Sequence, residues 1–265
     1  MERYENYFLD TYNNNEENLT ARMKTFLPGH VFHLIRQIGK IADKEGISVY
    51  LVGGIVRDLI LNLSNMDLDL VVDGEGPAFG EILANNFSAK LVVYERFATA
   101  SLYFKEIKDA KDLKNPMKID IATARREYYQ FPAALPNVEK GSIMQDLFRR
   151  DFTINAMAIA LNQERFGQLI DFFGGRKDLN QRIIKVMHQG SFVDDPTRIM
   201  RCVRFEARFG FIIEENTLDL AQKAIEQNLM AEVSLPRLKE EFLLILKEKK
   251  RATVLKRLKD LGLWD

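Results

Sequence analysis

Gly53-Gly54-Ile55-Val56-Arg57-Asp58 and, a few residues on, Met66-Asp67-Leu68-Asp69-Leu70 form the stretch that decides the fold. Val49-Tyr50-Leu51-Val52 precede it as a short buried strand, which the glycine pair stops. Residues 55–63 are predicted to form a helix, and residues 68–72 a second strand ahead of the Gly74-Glu75-Gly76 turn. Side chains alternate along a strand. Asp67 and Asp69 therefore share one side of the sheet, while Leu68 and Leu70 point into the core. Two carboxylates held that close repel each other unless a cation sits between them. Mg²⁺ suits them, because it takes one or two carboxylates and completes its octahedron with phosphate oxygens and water. Gly53 and Gly54 allow a phosphate to approach the backbone, and the next helix presents its first N–H groups to that anion. An Asp-x-Asp pair taken alone more often decorates an exposed edge strand. A glycine pair and a helix immediately upstream favour a site instead.

Outward from this centre the chain has two textures. Residues 1–29 are polar and rich in asparagine (Asn13, Asn14, Asn15, Asn18), and read as an arm or short helix outside the core, ending at Pro28-Gly29. Val31, Leu34, Ile35, Ile38 and Ile41 then fall on one helical face, and Gly46 closes that helix. A helix over 79–87 and strands over 90–94, 100–104 and 117–122 follow. Beyond Phe148 the pattern becomes almost continuous helix, interrupted by a strand at 169–172. The expected organisation is an arm (1–29), a mixed α/β head (30–160) and an all-α neck (161–265), with the start of a further helical domain as an option for its end.

Composition narrows the function classes. Lys+Arg and Asp+Glu number 38 each among 265 residues, so any nucleic-acid contact needs a local basic patch. The single cysteine, Cys202, excludes an internal disulfide framework and a cysteine-rich zinc site. His30, His33 and His188 lack metal-ligand spacing. No run approaches the roughly 20 apolar residues of a membrane span. The opening segment, with Glu2, Glu5 and Asp10, does not read as a signal peptide, so a cytoplasmic location is expected.

A Gly-Gly turn, a helix and then Asp-x-Asp on a strand resemble the nucleotidyltransferase superfamily that includes DNA polymerase beta. The longer string Leu51-Val52-Gly53-Gly54-Ile55-Val56-Arg57-Asp58 resembles the first motif of class II CCA-adding enzymes and bacterial poly(A) polymerases. The resemblance implies a DNA polymerase beta-like head, catalytic and metal-binding roles for Asp67 and Asp69, and nucleotide contact by Gly53, Gly54 and Arg57. It also implies a third carboxylate on a later strand, matched by Asp120 in Lys118-Ile119-Asp120-Ile121. Asp120 would accept the proton of an attacking 3′-hydroxyl or complete the metal shell; an exposed strand aspartate is the simpler alternative.

Arg149-Arg150-Asp151-Phe152-Thr153-Ile154-Asn155-Ala156-Met157-Ala158 reads by composition as the start of a helix with Asp151 at its positive end. It matches the family's second motif, which implies that Asp151 bonds the ribose 2′-hydroxyl and that Arg150 and Asn155 position triphosphate and sugar. Asp171-Phe172-Phe173-Gly174-Gly175 with Asp178-Leu179 resembles the next motif, a turn or pivot between head and neck.

Asp194-Asp195-Pro196-Thr197-Arg198 reads locally as a helix start capped by Asp195, with Pro196 in the first turn. Asp195 and Arg198, three apart, can brace each other on one helical face. An arginine fork beside a carboxylate also offers donors and acceptors to a base edge. In the family this element pairs with incoming CTP or ATP, which implies that role for Asp195 and Arg198; Asp194 stands where glutamate is usual. Arg201 and Arg204, with Arg208, continue the helix either as phosphate contacts or as a solvated face. Val233-Ser234-Leu235-Pro236-Arg237-Leu238 resembles the helix end that closes the neck, and the basic residues 247–259 are either a solvated face or a contact for tRNA phosphates.

The family implies addition of AMP from ATP, or of CMP and AMP, to the 3′ end of tRNA, with two Mg²⁺ ions and release of pyrophosphate. Residues 122–151 most resemble the A-adding branch. Poly(A)-type adenylation of other RNAs, or a non-catalytic nucleotide- or RNA-binding module, are the alternatives. Members of the family usually continue into helical body and tail domains, whereas this sequence stops at Gly262-Leu263-Trp264-Asp265. Nothing in the sequence bears on oligomeric state.

Overall fold

Alternation along two neighbouring strands sets up the central sheet. Leu68, Leu70, Ile119 and Ile121 are each at most 2% exposed, while the residues between them face the other way. The computed structural model describes residues 17–104 and 117–264. These fall into two units, one made of residues up to 126 with 140–148 and 155–173, the other of 127–139, 149–154 and 174 onward.

In the first unit the order is α1 (Thr20–Phe26), α2 (Gly29–Lys44), β1 (Ser48–Val52), α3 (Gly54–Ile60), β2 (Leu68–Asp73) and α4 (Gly76–Phe87). β3 (Lys90–Tyr94), β4 (Thr99–Phe104) and β5 (Met117–Thr123) follow. After β6 (Arg125–Tyr128) and β7 (Asn137–Lys140), a pair whose residues 127–139 belong to the second unit, come α5 (Ile143–Phe148), β8 (Ala158–Ala160) and β9 (Leu169–Ile170). Seven strands form one sheet in the order β3-β4-β5-β2-β1-β8-β9. Among the described strands of this sheet only β2 and β5 run parallel; every other neighbour is antiparallel. The mixed sheet with helices is the expected head architecture. α4 packs on β3, β4 and β5, and α2 on β1.

The second unit is mainly helical: α6 (Gly175–Gln181), α7 (Ser191–Asp194), α8 (Thr197–Phe209), α9 (Glu215–Glu226), α10 (Leu235–Leu246) and α11 (Arg251–Asp260). α8 is its axis, packed by α7, α10 and α11. Ile199, Met200, Cys202, Val203 and Phe205 turn inward, and Phe205 meets Phe152 edge-on at 5.8 Å. No described helix is long and apolar enough to cross a membrane.

Three sequence expectations change. The second motif does not start a helix: Thr153–Asn155 form a single 3-10 turn, and Ala158–Ala160 form β8, paired with β1 and β9. Residues 156–161 are buried on every side, and a run that is apolar all round carries no period to tell strand from helix. The neck is not purely helical, because β10 (Ile183–Ile184) and β11 (Ile212–Ile213) pair in parallel. Residues 1–16 of the expected arm lie outside the described residues. Its remainder belongs to the core, since Leu19, Met23 and Leu27 recur at four-residue spacing and are at most 4% exposed. The chain also passes between the units more than once, at 126, 139, 148, 154 and 173.

Gly39 of α2 lies against the backbone of Leu161, where an added Cβ would stand 1.9 Å from the carbonyl oxygen. Helix propensity alone favours alanine there by about 1 kcal/mol. The clash with rigid backbone outweighs it, so Gly39→Ala is expected to destabilise the protein by about 1–3 kcal/mol in urea unfolding.

Candidate functional site

In the first unit β1 ends at Gly53, whose φ of 80° and ψ of −138° suit glycine and strain any side chain. This turn sends the chain directly into α3, so Gly53 and Gly54 stand at the end of a central strand. Arg57, in the second turn of α3, is 5% exposed. It donates from Nε to Asp58 Oδ1 at 2.8 Å and from Nη1 to Asn155 Oδ1 at 2.6 Å. The fold thus brings Arg57 and Asn155 together and buries both.

β2 then carries the acidic pair. Asp69 lies opposite Asp120 in the parallel β2–β5 register, and Asp120 lies opposite Ser101 on β4. Asp67 sits immediately before β2. One oxygen from each of Asp67, Asp69 and Asp120 falls within 4.8 Å of the others. Asp120 accepts from Ser101 Oγ at 2.5 Å through Oδ1 and pairs through Oδ2 with Lys118 Nζ at 2.7 Å. Donating that hydrogen bond to Asp120 raises the Lys118 pKa above its usual value.

Three carboxylates at this spacing suit a hard divalent cation. The donors are all oxygen, and opposite corners of an Mg²⁺ octahedron lie roughly 4 Å apart, a spacing compatible with three oxygens within 4.8 Å of one another. Asp67 is exposed and the other two are half-buried, which leaves the remaining corners open to phosphate oxygens and water.

The second unit holds another set. Asp151, 7% exposed, accepts from Arg201 Nε and Nη2 at 3.0 and 2.6 Å. Arg201 also reaches Glu241 at 3.1 Å, and Asp151 and Glu241 together hold its guanidinium charged against the cost of burial. Arg204 is 4% exposed and pairs with Glu241 and Glu248 at 3.6 and 3.4 Å. Burial pulls its pKa down despite Glu241. A wholly solvated face is therefore excluded for Arg204, and Arg201 is tied to two carboxylates. Arg150 is half-buried beside this cluster in sequence.

Asp195 does not brace Arg198 through its side chain. It lies outside α8 in extended backbone, with φ −142° and ψ 95°, so the two residues do not share a helical face. Pro196, not the expected Asp195, is the cap residue of α8; Asp195 Oδ1 nevertheless accepts the Thr197 N–H at 3.0 Å, and also takes Thr197 Oγ1 at 2.6 Å and Arg237 Nη2 at 2.8 Å. Arg198, 6% exposed, donates to Ser191 Oγ and to the Arg149 carbonyl, each at 2.7 Å. Arg149 in turn pairs with Glu127 at 3.2 Å, and Glu127 accepts from Tyr129 at 3.0 Å. Burial pushes the Tyr129 hydroxyl up and keeps it a neutral donor.

Sequence reasoning missed Asn65, Ser101 and Lys118 around the carboxylates, and Glu127, Ser191, Arg237 and Glu241 around the arginines. An asparagine two residues before Asp67 is a local turn signal that was open to reading. Lys118, two residues before Asp120 on the same strand, was a local neighbour as well, whereas the rest meet their partners across strands or helices.

Residues 49–185 match the poly A polymerase head domain family, and residues 210–265 match a probable RNA- and SrmB-binding site of polymerase A. The A-adding tRNA nucleotidyltransferase of Geobacter sulfurreducens is 40% identical over 259 residues, covering 95% of this chain and 28% of that protein. A CCA-adding enzyme in its apo form II superposes with a TM-score of 0.86 at 45% identity, over 93% of this chain and 56% of that one. The Thermotoga maritima CCA-adding enzyme complexed with tRNA gives a TM-score of 0.81 at 40% identity, over 93% and 54%. The chain therefore spans about half the length of the two solved structures and less of the Geobacter protein.

His188 tests the second unit by pH. Burial, and then the Arg198 charge, lower its pKa from 6.5 to about 4. The unfolded chain takes up that proton first. His188 therefore contributes full stability above pH 6.5, loses it as pH falls toward 4, and changes nothing further below. Thermal melts between pH 7 and 4 should show a loss of roughly 3 kcal/mol that is absent in His188→Gln.

Proposed function

The chain belongs to the poly A polymerase head domain family, and from that premise we propose that it adds AMP from ATP to the 3′ end of tRNA. The convergence of Asp67, Asp69 and Asp120 on one face of the sheet, in the same unit as the Gly53-Gly54 turn, carries this proposal. Similarity to an A-adding enzyme over nearly the whole chain supports the choice of nucleotide.

Asp67 and Asp69 would hold the metal, and the Gly53-Gly54 backbone would lie along the triphosphate. Bound Mg²⁺, two ions in our proposal, would acidify the terminal 3′-hydroxyl and neutralise the departing pyrophosphate. Asp120 stands opposite Asp69 and would accept the hydroxyl proton or orient the metal ligands, with Ser101 and Lys118 fixing its carboxylate.

In the second unit Asp151 would receive the ribose 2′-hydroxyl beside the Arg201 fork, and Arg150 would take phosphate charge. Asp195 and Arg198 would read the base edge. Ser191 and the Arg149 carbonyl already fix the Arg198 fork, and Arg237 fixes Asp195, so little side-chain freedom is lost on binding. Arg204 and Glu241 would serve by holding α8 rather than by touching the nucleotide. In this proposal the first unit, which holds most of residues 30–160, would serve as the head, and the second, with residues 127–139, 149–154 and 174 onward, as the neck. A cytoplasmic location follows from the substrate.

Incubation of tRNAs ending in CC, in C or in neither with each labelled nucleoside triphosphate and Mg²⁺ is the direct test. AMP should enter only the CC-ended tRNA. CTP incorporation into the shortest tRNA would replace A-addition by CCA-addition, and adenylation of unrelated RNA would replace it by poly(A) synthesis. Asp69→Ala should slow incorporation by about a thousandfold or more, because metal stabilisation of developing charge is worth several kcal/mol.

A further inference from the structure

We infer that Asn65 is a positioning residue for the metal ligand Asp67, and that it transmits the rigidity of the buried Arg57–Asp58 pair to the exposed edge of the site. This rests on the proposal that Asp67 and Asp69 bind a divalent cation.

Asp67 lies outside β2, so the sheet's ladder does not fix it. Its backbone N–H is bonded instead to Asn65 Oδ1 at 2.8 Å, closing a two-residue side-chain turn. The other end of the same amide donates from Nδ2 to Asp58 Oδ2 at 2.7 Å. Asp58 is 8% exposed and is itself held by Arg57 at 2.8 Å, and Arg57 by Asn155 at 2.6 Å. Four links thus run from a 3-10 turn through α3 to the peptide of one ligand.

An amide is the side chain that suits this place. It accepts at one end and donates at the other, and the two neighbours demand opposite roles. Aspartate would set a second carboxylate against Asp58, and alanine would drop both bonds. Asp69 and Asp120 are oriented by paired strands, whereas the Asp67 peptide, outside that register, is held by this bridge.

Groups that orient a metal ligand without touching the metal typically change affinity by about 10–100-fold when removed. Direct Mn²⁺ binding, followed by the electron paramagnetic resonance of the free ion, separates the possibilities without relying on turnover. Asn65→Ala should bind Mn²⁺ about tenfold more weakly than the unmodified chain while its melting temperature stays within a few degrees. Asn65→Ser, whose hydroxyl still accepts the Asp67 N–H but no longer reaches Asp58, should recover only part of that loss. The half-saturating Mg²⁺ for nucleotide addition should rise in parallel for Asn65→Ala. Asn65→Ala binding Mn²⁺ as the unmodified chain does, or Asn65→Ser as weak as alanine, would overturn this role for Asn65. Asp69→Ala is the separate control. If it too binds Mn²⁺ normally, the metal site itself is wrong, whereas its failure to bind beside an unaffected Asn65→Ala condemns only the bridge.

Discussion

Like charges that converge must be held against their own repulsion, and the first unit is organised around that constraint. Asp67, Asp69 and Asp120 present oxygens within 4.8 Å of one another. At such distances carboxylates favour a proton or a cation between them. The parallel pairing of β2 with β5 places Asp69 opposite Asp120, and the buried leucine and isoleucine side chains behind them oppose any rotation of either strand. A register slip of one residue would send both acids into the core and both aliphatic rows into water. The apolar face of the sheet therefore fixes the polar one.

The second unit solves a related problem with the opposite sign. α8 carries four arginines in eleven residues, and the fold answers each with a specific acceptor. Arg201 is shared by Asp151 and Glu241, Arg204 by Glu241 and Glu248, and Arg208 reaches Glu248 at 2.6 Å. Arg198 is held by a hydroxyl and a backbone carbonyl instead, so it meets no carboxylate among these bonds. Among these four arginines it is the one held by neutral acceptors in the bonds described. The same separation explains Asp195, whose Oδ1 takes three bonds while Oδ2 takes none of them.

Much of this was legible in the residues themselves. The alternation of Met66 to Leu70 predicted both the strand and the shared side of its acids. The glycine pair predicted a turn that L side chains cannot make, and Gly53 adopts it. The segment 152–161 was not legible as a strand, because its apolar residues follow no period and its burial comes from β1 and β9 on either side. Leu19, Met23 and Leu27 were overlooked among asparagines although their spacing is helical.

What the sequence determined by itself was the local chemistry: which residues turn, which strand carries acids, and which helix carries arginines. These follow from backbone sterics and from periodicity, which act over a few residues. Only the tertiary structure decided the partners. Ser101 at Asp120, Glu241 at Arg201 and Arg237 at Asp195 depend on register and packing between segments far apart in the chain. No short-range pattern encodes those distances, because they are set by the burial of apolar faces that the whole unit shares.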